Sequence, residues 1–139
     1  KLYDKCRREL IRRIGIARPI AVTFKRINQI VVGWINYYRI GVMKYFIDVF
    51  GQWLRHKIRV IILKQWKRPK TIYKNLYKMN RLFSCRFSDE QIFSVANSRR
   101  GLYSQACGHV INNIISPKFL GKRIGDRPGL VNPLNYYLS

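Results

Sequence analysis

Acidic residues are scarce in this sequence. Six Asp and Glu stand against 28 Lys and Arg in 139 residues. Metal-assisted phosphoryl or nucleotidyl transfer needs two or more carboxylates converging on divalent ions, and the acids here are scattered. The one adjacent pair, Asp89-Glu90, reads better as the start of a helix. Cysteine is scarcer still. Cys6, Cys85 and Cys107 are odd in number, far apart and without a C-x-x-C, which argues against a disulfide framework and for a reducing compartment. Cys107 and His109 lack the second pair of ligands a zinc site needs. His56 and His109 have no Ser or Cys partner in a nucleophilic arrangement, and Gly121 and Gly125 are too isolated for a phosphate-cradling loop. Long apolar runs are missing as well. The most apolar stretch, residues 27–42, is broken by Asn28, Gln29, Asn36 and Arg39, short of the roughly 18 residues a spanning helix needs. The N-terminus has no short apolar segment with a small-residue cleavage site. It opens on Lys1 rather than Met, which fits a piece cut from a longer protein. The expectation is therefore a chain without catalytic residues, metal, cofactor or membrane span.

What is present is a core and a large positive charge. Apolar residues make up 47% of the chain, enough for an ordinary globular interior in one domain or two small lobes. The formal net charge is +22. Like charges at that density repel one another and oppose compaction, and a polyanionic partner is the usual compensation.

Helical periodicity runs through the first half. Residues 2–14 place Leu2, Tyr3, Cys6, Leu10 and Ile14 on one face, with Lys1, Lys5, Arg8 and Arg12 opposite. Asp4–Arg8, Lys5–Glu9 and Glu9–Arg13 are i,i+4 pairs suited to holding that helix. Gly15 and Pro19 end it. A second helix is expected from Pro19 to Arg39, burying Ile20, Phe24, Ile27, Val31, Trp34, Ile35 and Tyr38. Gly33 within it costs about 1 kcal/mol against Ala, which predicts close approach of a neighbouring helix. A third helix is expected over residues 43–66. Phe46, Val49, Phe50, Trp53, Leu54 and Ile61 form its inner face, with Lys44, Arg55 and Arg59 opposite. The run Val60, Ile61, Ile62 and Leu63 reads as a helix end buried on several sides. Three helices joined by short turns predict an antiparallel or slightly splayed bundle.

From Lys64 onwards the character changes. Ten basic residues and no acid lie between Arg55 and Arg81, and Lys64, Lys67, Arg68 and Lys70 surround Trp66. Short helices are expected over 71–79, over 89–97 behind the N-cap Ser88, over 105–115 and from Pro117 to Arg123. The Gly, Pro and Asn content of 125–135 predicts an irregular tail. Lys and Arg neutralise a phosphate backbone with little regard to sequence. Trp66, Tyr73, Tyr77 and Tyr103, set among cations, are candidate platforms for unpaired bases. At helical spacing a Trp is more often core, which is the expectation for Trp34 and Trp53.

GWINYYRI at residues 33–40, the basic KQWKRPKT at 64–71, ANSRRG at 96–101 and, more loosely, LNYYL at 134–138 resemble the maturase-specific region of group II intron-encoded reverse transcriptases. The order and spacing of these blocks carry the resemblance. The chain departs from it at Gly101-Leu102-Tyr103-Ser104, where an aromatic-rich GYWR-like block is usual, and at Ala17-Arg18-Pro19-Ile20, where an acidic helix start is usual. The resemblance implies a helical thumb, or X domain, following fingers and palm. Its partners would be intron RNA, a template–primer duplex and the rest of the reverse transcriptase, in a bacterial or organellar ribonucleoprotein. The polymerase aspartates of a Tyr-x-Asp-Asp motif do not occur in this chain and would lie upstream.

The expected fold is all-α: a three-helix thumb over residues 1–67, then a smaller basic helical extension over 68–139. The expected nucleic-acid-binding residues are Lys5, Arg8 and Arg12; Lys44, Arg55 and Arg59; Lys64, Lys67, Arg68 and Lys70; and Arg99 and Arg100. They would act through phosphates, which position RNA without reading its sequence. A DNA-binding module of the same protein and a docking domain for an acidic protein are the rival expectations.

Overall fold

A computed structural model describes residues 2–11, 17–38, 43–82, 86–98, 108–122 and 128–138, and all regular structure among them is helical. The long elements come first: α1 (Leu2–Glu9), α2 (Ile20–Tyr38), α3 (Lys44–Trp66) and α4 (Pro69–Leu82). Shorter ones follow: α5 (Asp89–Ala96), α6 (His109–Ile114), α7 (Pro117–Gly121) and α8 (Pro133–Leu138). The chain is all-α, as its periodicity predicts.

Helix α1 packs on α2, burying Leu2 and Cys6. Tyr3 ties it to α3, meeting Phe46, Phe50 and Trp53 edge-on at centroid distances of 5.8, 5.1 and 4.8 Å. Of the expected i,i+4 pairs, Asp4–Arg8 and Lys5–Glu9 do not form, and Arg13, the expected partner of Glu9, lies outside the described residues. Asp4 pairs with Arg7 at 3.4 Å, and Glu9 with Arg18 at 2.8 Å and Arg26 at 3.7 Å. Arg18 also donates to the Glu9 carbonyl and the Thr23 hydroxyl, each at 3.0 Å, so the acid at the end of α1 anchors the start of α2. Glu9 takes the longer-range partner because Arg18 is half-buried, where an ion pair with several hydrogen bonds is held more firmly than an exposed one.

Thr23, Phe24, Ile27, Val31 and Ile35 are the buried face of α2. Tyr38 is exposed, contrary to the predicted stripe, because the apolar arc ends one turn earlier. The expected close helix approach at Gly33 does not occur among the described residues: a Cβ placed there would meet none of them within 4 Å. The inner face of α3 is Ile47, Phe50, Leu54 and Ile58, turned from the one expected. Phe46 and Val49 are partly exposed, with Phe46 packing sideways against Tyr3 and Trp34. Val60, Ile61, Ile62 and Leu63 are all buried with Ile58 and Arg59, so α3 is enclosed all round over residues 58–63.

Helix α3 ends abruptly. Lys67 adopts φ 62° and ψ −66°, and the Arg68 amide donates to the Trp66 carbonyl at 2.8 Å. This is the rare, strained form of γ-turn, and α4 begins two residues later. Helix α4 packs on α5 and α3, and α6 on α4 and α5. The α4–α5 connection is fixed by Asn80, which donates to the Phe87 carbonyl at 3.0 Å and accepts from its amide at 3.3 Å. Ser88 caps α5 with a full capping box, exchanging hydrogen bonds with Gln91.

The tail is not wholly irregular. Asn132 accepts from the Asn135 amide at 3.2 Å, and Pro133 opens α8, which returns to pack on α3 and α2. An Asn cap followed by Pro in the first turn is a helix start, hidden in sequence by the surrounding Gly, Pro and Asn. The C-terminal segment is thus built onto residues of α2 and α3. No helix among the described residues is long and apolar enough to cross a membrane.

Candidate nucleic-acid interface

Helix α4 is amphipathic, with cations on its outer side. Ile72, Leu76 and Met79 are buried, and Lys70, Lys74, Lys78 and Arg81 are exposed. At about 100° per residue these four side chains fall within one arc of about 80°, opposite the buried face. At about 1.5 Å per residue they form a row about 16 Å long. Lys70, Lys74 and Lys78 have no ion-pair partner among the described residues. Tyr73 and Tyr77 run along one side of the row, half-buried, their rings 6.0 Å apart and near-parallel. The Arg81 guanidinium lies 5.7 Å from the Tyr77 ring and donates to its hydroxyl at 3.1 Å. Lys67 and Arg68, both exposed, lie in the turn between α3 and α4, next to the start of the row.

Of the residues expected from sequence, Lys67, Arg68 and Lys70 therefore stand together. Lys74, Lys78 and Arg81 were not among them, although the four-residue spacing of the three lysines is itself the signal. Lys5 and Arg8 are exposed on α1, and Lys44 at the start of α3. Lys64 is half-buried near the end of α3. Arg12, Arg99 and Arg100 lie outside the described residues, as does Tyr103. Trp34, Trp53 and Trp66 are all half-buried against the core, the first two as expected.

Arg59 does not face outwards as predicted. It is 7% exposed, and its Nε donates to the Ile115 carbonyl at 2.7 Å. Burial pushes its pKa down to about 10, with the like charge of Arg55 adding to the effect. Arg55 is half-buried beside Gly51, where a Cβ would lie 3.2 Å from the Arg55 Nη1 and 3.5 Å from Pro133. Its pKa is also lowered by burial, against an opposing pull from Asp48. The expected outer row of α3 thus breaks up: Lys44 is at the surface, Arg55 is partly covered, and Arg59 is inside.

Candidates for other chemistry are few. Burial raises the Cys6 thiol to about 12, with Glu9 adding to the shift, which suits a buried apolar side chain rather than a nucleophile. Cys85 and Cys107 lie outside the described residues. No group of three His, Cys, Asp or Glu able to hold a metal comes together among the described residues.

A second basic and aromatic feature lies between α1 and α2. Lys5, Gly33, Trp34, Tyr37 and Tyr38 line an open cavity of about 280 Å³. Trp34 and Tyr38 are 4.8 Å apart, and Tyr37 meets Tyr38 at 4.7 Å with the rings 68° from coplanar.

Residues 1–80 match the family described as "Group II intron, maturase-specific domain". The chain belongs to that family. No curated protein matches it. The matched part of this maturase-specific domain ends inside α4, so it includes Lys70, Lys74 and Lys78 and the cavity between α1 and α2. It also holds two of the sequence blocks, GWINYYRI and KQWKRPKT, while ANSRRG and LNYYL fall beyond it. The family is a maturase-specific one rather than a polymerase catalytic one, and it ties the chain to group II intron splicing.

Proposed function

We propose that this maturase-specific domain binds group II intron RNA through its phosphates and promotes splicing as part of a ribonucleoprotein, in a bacterial cytoplasm or an organelle. In an intact reverse transcriptase the same domain would also grip the template–primer duplex, behind fingers and palm that carry the active site. The observation that carries the reading is the row Lys70, Lys74, Lys78 and Arg81 on α4, with Lys67 and Arg68 at its head. These cations face solvent together within a stretch, from Asp48 to Asp89, that has no acid between its ends. An ordinary solvated helix mixes both signs along its face, which this one does not.

Each phosphate neutralised releases counterions, so log K falls with log salt by about 0.9 per contact on duplex and about 0.7 on single strands. The test compares the full chain with a Lys70→Ala, Lys74→Ala, Lys78→Ala variant on group II intron RNA at several salt concentrations. The variant should bind more weakly at low salt, and its salt slope should be shallower by about two to three. An unchanged slope would sink the reading. Duplex DNA added as competitor separates the DNA-binding alternative, which predicts displacement of the RNA at equal phosphate concentration. Negligible affinity for either nucleic acid at physiological salt would favour an acidic protein partner.

A further inference from the structure

The row on α4 accounts for phosphates but leaves the cavity between α1 and α2 unexplained. Its lining is costly for a surface that does nothing. Tyr37 is 78% exposed and Tyr38 40%, two large rings side by side in water beside a half-buried indole. Gly33 and Tyr37, and Trp34 and Tyr38, are i,i+4 pairs, so both lie along the same stretch of α2. Gly33 has no packing reason among the described residues to be glycine: it sits in mid-helix, where glycine is unfavourable, and a Cβ would meet none of them within 4 Å. Gly33 lines the cavity, so a side chain there would take up part of its space.

The rim fixes the sign of the occupant. Lys5 lines the cavity and has no ion-pair partner among the described residues. A cationic guest would be repelled by Lys5 and by the chain's net charge of +22. At about 280 Å³ the space lies just below the range of drug-sized ligand pockets, which suits one flat ring system. Aromatic faces beside a lone ammonium match a flat ring with a phosphate attached. The bases of a duplex hide their faces from such a site, whereas unpaired bases present them.

We propose that the groove of Lys5, Gly33, Trp34, Tyr37 and Tyr38 takes a single unpaired nucleobase of RNA, stacked on the exposed Tyr37 ring, with Lys5 on its phosphate. The inference rests on the RNA-binding reading and adds to it a base-dependent, single-strand-selective site distinct from the α4 row.

The test measures binding of the full chain to a single-stranded oligoadenylate and to an abasic ribose-phosphate chain of the same length, which carries the same charge without bases. The ratio of the two affinities reports stacking alone. The intact chain should favour oligoadenylate by about tenfold, the scale of one base–aromatic stack. Tyr37→Ala and Gly33→Leu should each bring the ratio close to one. Gly33→Leu should not lower Tm, because leucine is the better helix former and the position is open, so its effect cannot be put down to unfolding. Lys5→Ala and the triple lysine variant of α4 should weaken both probes and leave the ratio alone. If the chain binds neither probe, the RNA reading itself falls and the groove with it. If it binds both but shows no preference for bases, or keeps that preference in Tyr37→Ala and Gly33→Leu, the groove alone is overturned.

Discussion

Arg59 shows how far one residue's role depends on what closes over it. Its guanidinium reaches across to the Ile115 carbonyl, the cap residue at the end of α6. A cation there suits the negative end of the helix and satisfies an acceptor that would otherwise be short of partners. With a pKa of about 10 it remains charged at neutral pH despite burial. Arg59→Ala should therefore destabilise the fold by about 2–4 kcal/mol, combining a lost hydrogen bond to a charged group with a cavity. It should leave the salt slope of RNA binding unchanged, which denaturant titration and binding measurements together will check. A slope flattened by about one would mean the side chain reaches a phosphate after all. Sequence spacing sets Arg59 beside Arg55 on a face opposite the core. That logic holds only where a helix has an outside, and Val60, Ile61, Ile62 and Leu63 show that this end of α3 has none. The partner at Ile115 lies 56 residues away, so no local pattern could announce it.

Between elements, the C-terminal segment depends on side chains of the first helices rather than on apolar area alone. Asn28 on α2 donates to the Gly129 carbonyl and accepts from the Val131 amide, both at 2.7 Å. Its amide takes the place of a neighbouring strand for two groups of a non-helical stretch. Tyr136 donates to Asn36 at 2.8 Å, and the Met43 amide donates to the Tyr137 hydroxyl at 3.4 Å, so α8 is held to α2 and to the start of α3. Asn28→Ala leaves two backbone groups short of partners and should cost about 1–3 kcal/mol. Asn28→Asp keeps the acceptor for Val131 but sets a carboxylate against the Gly129 carbonyl. Its folded-state pKa is then raised above the unfolded value, so stability should be lower at neutral pH and recover as pH falls through the carboxyl range. Equal stability of Asn28→Asp at pH 7 and in acid would contradict the pairing. The elements themselves were legible from sequence wherever a face repeats over several turns, as in α2 to α4, and wherever a cap is local, as at Ser88. The return of the tail was not, because its anchors are single polar side chains about a hundred residues away in sequence.

For the whole molecule, the decisive quantity is a charge the fold does little to neutralise. Asp4 and Glu9 are committed to Arg7, Arg18 and Arg26, while Asp89 and Glu90 sit in the first turn of α5. The cations of α4 have no such company, and the same repulsion that opposes folding draws in a polyanion. The two effects respond to salt with opposite sign. Added salt shortens the Debye length, to about 8 Å at 0.15 M, which relieves repulsion within the free chain. It also weakens phosphate binding, and with it the stabilisation that binding lends to the folded state, about 2.7 kcal/mol when free RNA stands at about 100 times Kd. Thermal unfolding should therefore show Tm of the free chain rising with salt and Tm of the RNA complex falling, until the two curves meet where binding is lost. For a chain of this size the separation at low salt should be several degrees. The triple lysine variant of α4 should start with a higher Tm than the parent when free, gain less from RNA, and meet its own free curve at lower salt. A free-chain Tm that falls with salt would show that repulsion is not what limits stability, and the case for a polyanion as its compensation would fail with it.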